Sequence, residues 1–411
     1  MVMSRQQHTL IYHTHRTMGA CVALILFAVC LSGTLTVLRS EIEVWSINEL
    51  IRQEKNARPL FEPHDPPSTK PSTPPPKSQN TTPISIDEAI ATFGVHHSLT
   101  QSSQWAIFLP TEQLRAYKLL IFEKNSPQKK QRLTHAYLHA DTGKYLGVPA
   151  RELSDFIFQF HGNFSIQTKI GRYLVGLFGL CFLVMIGTGL ILHRHLIRDL
   201  FKLRWTGSRR RLFADAHKFA GTWFLAFHLL IGTTGTIIAL KDLLLLAPAF
   251  TVYRGDLKHA KRELRTRPPI RSGTSVKMHS VESMLHTART SLANFSPTLV
   301  TVQVWGDQAA EIAVSGSLRN ELLGKNEAAS LHFSGANNQM LRRKDGREEG
   351  LWQRSFCAIT PLHYGDFGGL PVKLTYLFGG ITTLLLIWSG LWIWLEQQSA
   401  KRFGIRQRSP Q

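Results

Sequence analysis

Histidine is the residue type in this sequence best placed to do chemistry, because neutral imidazole ligates iron and several histidines fall at spacings that recur. His15 is followed by Gly19, Gly33 and Thr34, and His217 by Gly221, Gly235 and Thr236, at the same three offsets. A looser match links Gly189-Leu190-Ile191-Leu192-His193 to Gly390-Leu391-Trp392-Ile393-Trp394, with His161 lying 28 residues before the first glycine and His363 27 before the second. Two imidazoles facing each other at one depth of a helix bundle supply the axial ligands of a b-type haem, one from each side of the porphyrin. The expected pairs are His15 with His217 and His161 with His363, holding two haems b. With both axial positions filled, iron has no open site for O₂ and is suited to electron transfer. A single histidine near a membrane surface is more often a solvated or snorkelling side chain. Recurrence at matched spacings is what favours ligands.

His228 is a separate case, near the middle of an apolar run where an ionisable side chain is costly and usually functional. In a continuous helix it stands about 16.5 Å beyond His217 on nearly the same face. The first half has Leu26 there. Three roles are open: an axial ligand in place of one outer histidine, a hydrogen-bond partner between cofactors, or a neutral imidazole bonded to a backbone carbonyl. His193 and His195 read first as interfacial residues. His96, His97, His135 and His139 lack the accompanying Cys or carboxylate spacing of a metal site. No phosphate-cradling glycine loop, His-Glu-x-x-His or Gly-x-Ser-x-Gly element is present, so no flavin or nicotinamide site is visible. The electron donor is expected to be a separate cytoplasmic or membrane partner.

The elements that must position these residues are four uncharged apolar runs: Thr17 to Leu38, Tyr173 to Leu192, Phe219 to Leu240 and Leu374 to Leu395. Each reaches the roughly 20 residues a helix needs to cross the hydrocarbon core. A mean hydropathy of −0.08 over 411 residues conceals them. A purely soluble enzyme and a disordered chain are excluded. So is a disulfide scaffold, since Cys21, Cys30 and Cys181 lie within the runs and only Cys357 lies outside.

The net charge of +20 follows from the excess of Lys and Arg on inside loops and needs no nucleic-acid partner. Arg194, Arg198, Lys202, Arg204, Arg209, Arg210, Arg211 and Lys218 mark the loop between the second and third runs as cytoplasmic. Both termini then lie inside, in the inner membrane of a bacterium. The first run is too long for a signal peptide and lacks a small-residue cleavage pattern, so it reads as a retained span.

The resulting plan is a leader and first span over residues 1–40, a linker and first periplasmic module over 41–170, and a second span over 171–193. A basic loop (194–218), a third span (219–240), a second periplasmic module (241–373), a fourth span (374–395) and a basic tail (396–411) follow. The linker, Pro59 to Pro83, holds nine of 19 prolines. Ser85-Ile86-Asp87-Glu88 then opens a helix, ahead of strand-like runs at Trp105 to Leu109, Tyr117 to Phe122 and Leu133 to Leu138 and a turn at Asp141-Thr142-Gly143. The second module repeats this, with a helix from Ser280 and strands over Leu299 to Trp305, Ala309 to Val314 and Ala329 to Phe333. The fold class is therefore an α-helical integral membrane protein: a four-helix transmembrane bundle with internal duplication, plus two periplasmic α+β modules. Because both halves begin inside, a pseudo-two-fold axis along the membrane normal relates them, placing His15 and His217 near the inner surface and His161 and His363 near the outer. Gly19 and Gly221 are expected to give a flat group or a neighbouring helix close approach.

The chain resembles the PepSY-associated transmembrane family, iron-regulated membrane proteins some of which look like ferric siderophore reductases. The resemblance rests on His15-Arg16-Thr17-Met18-Gly19, Phe160-His161-Gly162, His217-Lys218-Phe219-Ala220-Gly221 and Pro361-Leu362-His363-Tyr364-Gly365. It extends to Ser85-Ile86-Asp87-Glu88-Ala89 and Asp141-Thr142-Gly143-Lys144, similar to PepSY domains; the second module departs from the pattern with Ser334-Gly335-Ala336-Asn337-Asn338. It implies a haem-dependent transmembrane ferric reductase acting on siderophore iron in the periplasm. Two other classes remain beside it: a PepSY-type anchored inhibitor of a periplasmic peptidase, and a permease subunit for iron chelates.

Overall fold

A computed structural model describes residues 4–56, 83–97, 99, 104–123, 132–147, 153–166, 168–193, 204, 208–244, 272–319 and 328–406. His195, most of the basic loop and the proline-rich linker up to residue 82 lie outside the described residues. The chain divides into a helical unit drawn from residues 1–40, 153–266 and 355–411, and a sheet unit drawn from 41–152 and 267–354.

The helical unit contains α1 (Arg5–Thr36), α4 (Leu153–Asn163), α5 (Lys169–Leu192), α6 (Arg209–Trp223), α7 (Leu225–Leu244), α9 (Leu351–Tyr364) and α10 (Gly369–Arg406). Four of these, α1, α5, α7 and α10, are long and apolar enough to cross a membrane. Ser4 and Gln7 form a capping box that starts α1 well ahead of its apolar run. α1 packs on α5 and α10, α5 on α7, and α10 on α6. Small residues allow the approach: Gly179 lies against Thr236 and Gly380 against Thr34, so the two recurring threonines serve helix packing.

The third apolar run is not one helix. It breaks at Phe224, which has φ −104° and ψ 18° and whose N–H donates to Ala220 O and Thr222 O. Thr222, Trp223 and Phe224 are a β-branched residue and two aromatics, all modest helix formers. The Phe224 ring packs edge-on against Phe378 at 5.3 Å, a contact that holds the break. His217 and His228 therefore stand on two helices separated by one irregular residue, across which the His228 N–H still donates to Phe224 O at 2.9 Å.

In the sheet unit, α2 (Arg39–Asn56) and α3 (Ile86–His96) precede β1 (Gln104–Phe108), β2 (Ala116–Glu123), β3 (Arg132–His139) and β4 (Tyr145–Gly147). α8 (Val281–Ser291) precedes β5 (Phe295–Gln303), β6 (Glu311–Leu318), β7 (Ala329–Ser334) and β8 (Met340–Asp345). The two modules expected from the sequence do not make separate sheets. One antiparallel sheet runs β4-β3-β2-β1-β5-β6-β7-β8, joined where Trp105 pairs with Val302 and Phe108 with Leu299. Pairing β1 with β5 removes two free edges that separate modules would expose.

The helices are tied reciprocally. Asp87, in the first turn of α3, accepts from Val281 N (2.7 Å) at the start of α8, while Glu282 of α8 accepts from Ile86 N (3.1 Å). Each carboxylate satisfies orphan N–H groups of the other helix. Across the sheet, Ile47 of α2 packs with Ala116 and Tyr137. The turn after β3 has Gly143 at φ +68°, and the departing turn of the second half puts Asn338 at φ +60°, a role asparagine fills with little strain.

Asp307 is buried between β5 and β6 and organises its loop by accepting from Ser272 Oγ (2.6 Å) and from the N–H groups of Ser272, Gly273 and Ala309. These bonds, the Ser272 hydroxyl foremost, hold its carboxyl at about 2, against an ordinary 3.8. The stabilisation is fully present above the unfolded value and is lost as pH falls through about 2. In urea unfolding of the detergent-solubilised chain, the gap between wild type and Asp307→Asn should be constant at neutral pH and should shrink between about pH 4 and pH 2.

Candidate functional site

The helical unit brings the four recurring histidines together in the expected pairs. The rings of His15 (α1) and His217 (α6) have centroids 6.3 Å apart with planes at 81°. Those of His161 (α4) and His363 (α9) are 6.0 Å apart with planes at 16°. The pairs sit toward opposite ends of the bundle: His15 is near the start of α1, whereas His161 meets α1 at Val29 and Gly33, about 21 to 27 Å further along its axis.

Each ring is held through Nδ1. His161 Nδ1 lies 2.9 Å from Val29 O and His217 Nδ1 2.9 Å from Leu386 O; a carbonyl only accepts, so both nitrogens donate. His15 Nδ1 lies 2.9 Å from Thr188 Oγ1 and His363 Nδ1 3.0 Å from Thr234 Oγ1. Those hydroxyls already give their protons to Val184 O (2.8 Å) and Leu230 O (2.6 Å), so here too the imidazole donates. All four rings are thereby fixed as the Nδ1–H tautomer, with the Nε2 lone pair left for a ligand.

The separations suit a metal between the rings. Two metal–nitrogen bonds of about 2 Å, plus about 1.2 Å from nitrogen to ring centre on each side, span about 6.4 Å. A direct N–H···N bond of about 2.9 Å would bring the centres to about 5.3 Å. Two protein ligands per site leave the other coordination positions to a macrocycle, and among the described residues no cluster of three or more His, Cys, Asp or Glu exists to hold a bare ion. The residues fit a bis-imidazole haem.

Glycines make room for the rings. A methyl group on Gly33 would stand 2.7 Å from His161 Cε1 and one on Gly235 2.8 Å from His363 Cε1; Gly189 and Gly390 face His15 and His217 at 3.3 and 3.0 Å. Gly19 and Gly221 instead face Met185 and Leu386, so the close approach they allow is to a neighbouring helix. Sequence reasoning missed the partners Thr188, Thr234 and Ser389 and the carbonyls of Val29 and Leu386. Thr188 adjoins the recurring Gly189 and Ser389 adjoins Gly390, a signal that was available.

His228 joins neither pair. It is 1% exposed, neither ring nitrogen has a hydrogen-bond partner, and it packs edge-on against Phe182 at 6.1 Å and Phe227 at 6.3 Å. Of its three open roles, the bond to a backbone carbonyl is not made, and His161 and His363 already face each other in the outer pair. His193 Nδ1 lies 3.5 Å from Thr222 Oγ1. His96 stacks on Tyr145 at 3.9 Å and His97 Nε2 lies 2.8 Å from its hydroxyl, which gives both packing roles.

A family model described as PepSY-associated TM region matches residues 12–397. A Pseudomonas aeruginosa protein, itself described only as uncharacterised, is 28% identical over 256 residues, covering 60% of this chain and 64% of that relative, so the chain spans less than two thirds of the relative's length.

Gly33→Ala and Gly235→Ala each force a ring or a helix to move. Each should cost about 1–3 kcal/mol, read by thermal unfolding in detergent. Gly94→Ala, whose added methyl meets nothing within 4 Å, should be neutral or mildly stabilising in the same assay.

Proposed function

We propose that this chain, which belongs to the PepSY-associated TM region family, is a di-haem b oxidoreductase of the bacterial inner membrane that carries electrons outward to ferric siderophore iron. One observation bears most of this reading: four imidazoles are paired at about 6 Å toward opposite ends of one bundle, and each is held through Nδ1. His15 and His217 would hold the inner haem, and His161 and His363 the outer. When bound, haem supplies an iron that shuttles between Fe³⁺ and Fe²⁺ one electron at a time.

The protein's own residues do the rest. Val29, Leu386, Thr188 and Thr234 fix ring orientation and make each imidazole a stronger donor to iron. Gly33, Gly189, Gly235 and Gly390 keep the rings close to the neighbouring helices. Leu26, Phe182 and Ile186 form an apolar cluster that keeps water out of this stretch of the bundle. His228, packed on Phe182 with both ring nitrogens unpartnered, would serve as a hydrogen-bond partner between the two cofactors.

The repeated offsets support an internal duplication, with the basic loop and both termini inside and the sheet unit periplasmic. The substrate class rests on the resemblance to ferric siderophore reductases. Hard oxygen donors grip Fe²⁺ less tightly than Fe³⁺, so one electron suffices to labilise the metal without cleaving its chelator.

The purified protein should be red, with two haems per chain by pyridine haemochrome and a Soret band that shifts with dithionite. His217→Ala and His363→Ala should each lose one haem and the transfer of electrons to a ferric hydroxamate. A colourless, folded sample rejects the reading. Such a protein would fit a peptidase inhibitor, indifferent to both substitutions, or a permease that moves chelate into proteoliposomes without reductant.

A further inference from the structure

Where His15 and His217 meet, α10 touches the inner pair through Ser389, whose Oγ lies 3.2 Å from His217 Nδ1, and then presents side chains that the haem pairs do not use. One turn further, Trp392 stacks on Phe213 with centroids 4.9 Å apart and planes at 27°. Phe213 itself precedes His217 by one turn of α6. Trp392 Nε1 is buried with no hydrogen-bond partner, and so is Glu396 Oε2 on the next turn of α10. Trp388 and Leu395 of the same helix are each 48% exposed, and in a bilayer such a surface faces lipid.

A buried N–H donor and a buried carboxyl oxygen left unpaired are rare in native structures and point to a missing partner. Here donor and acceptor stand one turn apart beside stacked aromatic rings. That set suits a flat, lipid-soluble ring with hydroxyl groups. The reaction class agrees: an iron with both axial positions filled accepts electrons singly, so its donor must release electrons one by one and shed protons to a nearby base. A quinol does this, whereas a nicotinamide delivers a hydride.

We propose that Phe213, Trp392 and Glu396 form the entry site for a membrane quinol, the electron source of the reaction proposed above, on which this inference rests. The quinol hydroxyl gives its proton to the Glu396 carboxylate, and the Trp392 N–H donates to a ring oxygen. Oxidation to the quinone releases two protons and two electrons. The protons leave through Glu396 to water, and the electrons pass singly to haem iron, converting two Fe³⁺ to two Fe²⁺.

The test mixes oxidised, haem-loaded protein in detergent micelles with duroquinol and follows the haem bands by stopped flow. Wild type should be reduced, with one duroquinol consumed per two haems. Trp392→Phe and Glu396→Gln should be slowed at least tenfold, while haem content and full reduction by dithionite stay unchanged. Calorimetric binding of decylubiquinone gives a readout independent of turnover, and should weaken at least tenfold in both variants. Haem-loaded protein that duroquinol leaves oxidised, or variants that match wild type in rate and binding, overturn the entry site alone. A protein that takes up no haem fails the proposed function instead.

Discussion

An imidazole can ligate a metal through either nitrogen, and which one is available depends on where the other sends its proton. In this protein that choice is made four times in the same sense, by two backbone carbonyls and two threonine hydroxyls whose own protons are already committed within their helices. The constraint reaches outward. A carbonyl or hydroxyl can hold the ring only if the helix bearing it lies close, and that approach requires glycine opposite each histidine. Gly33, Gly189, Gly235 and Gly390 meet that requirement, within the packing of α1 on α5 and of α10 on α6.

Much of this was legible in the residues themselves. The four membrane-crossing helices show as apolar runs, and the histidine pairs show as repeated offsets, because ring and glycine must both be kept for the geometry to survive. The hydroxyl partners were harder to see. Thr188, Thr234 and Ser389 bond their own helix backbone as such residues commonly do, so only the recurring glycines beside Thr188 and Ser389 point to a ring held from elsewhere. The break at Phe224 was also hidden, since no proline or glycine announces it and the contact with Phe378 comes from a helix some 150 residues away. Strands β1–β3 and β5–β7 stood out by composition. β4 has three residues and β8 is mostly exposed, so neither shows the half-buried alternation that reveals a strand.

The two halves are alike without being equivalent. Leu26 packs into the apolar cluster with Phe182, whereas its counterpart His228 brings an imidazole to the same aromatic ring from the other side of the sequence. An unsolvated polar ring near only one part of the interior makes the local dielectric uneven, and a cofactor on each side would feel that difference in its redox potential.

Joining β1 to β5 also has a consequence for synthesis. The chain is made from its N-terminus, and β5 leaves the ribosome almost 190 residues after β1. At about 5–20 residues per second, β1 waits on the order of 10 to 40 s with one lateral edge bare. Throughout that interval the nascent polypeptide offers an unzipped margin to any passing strand.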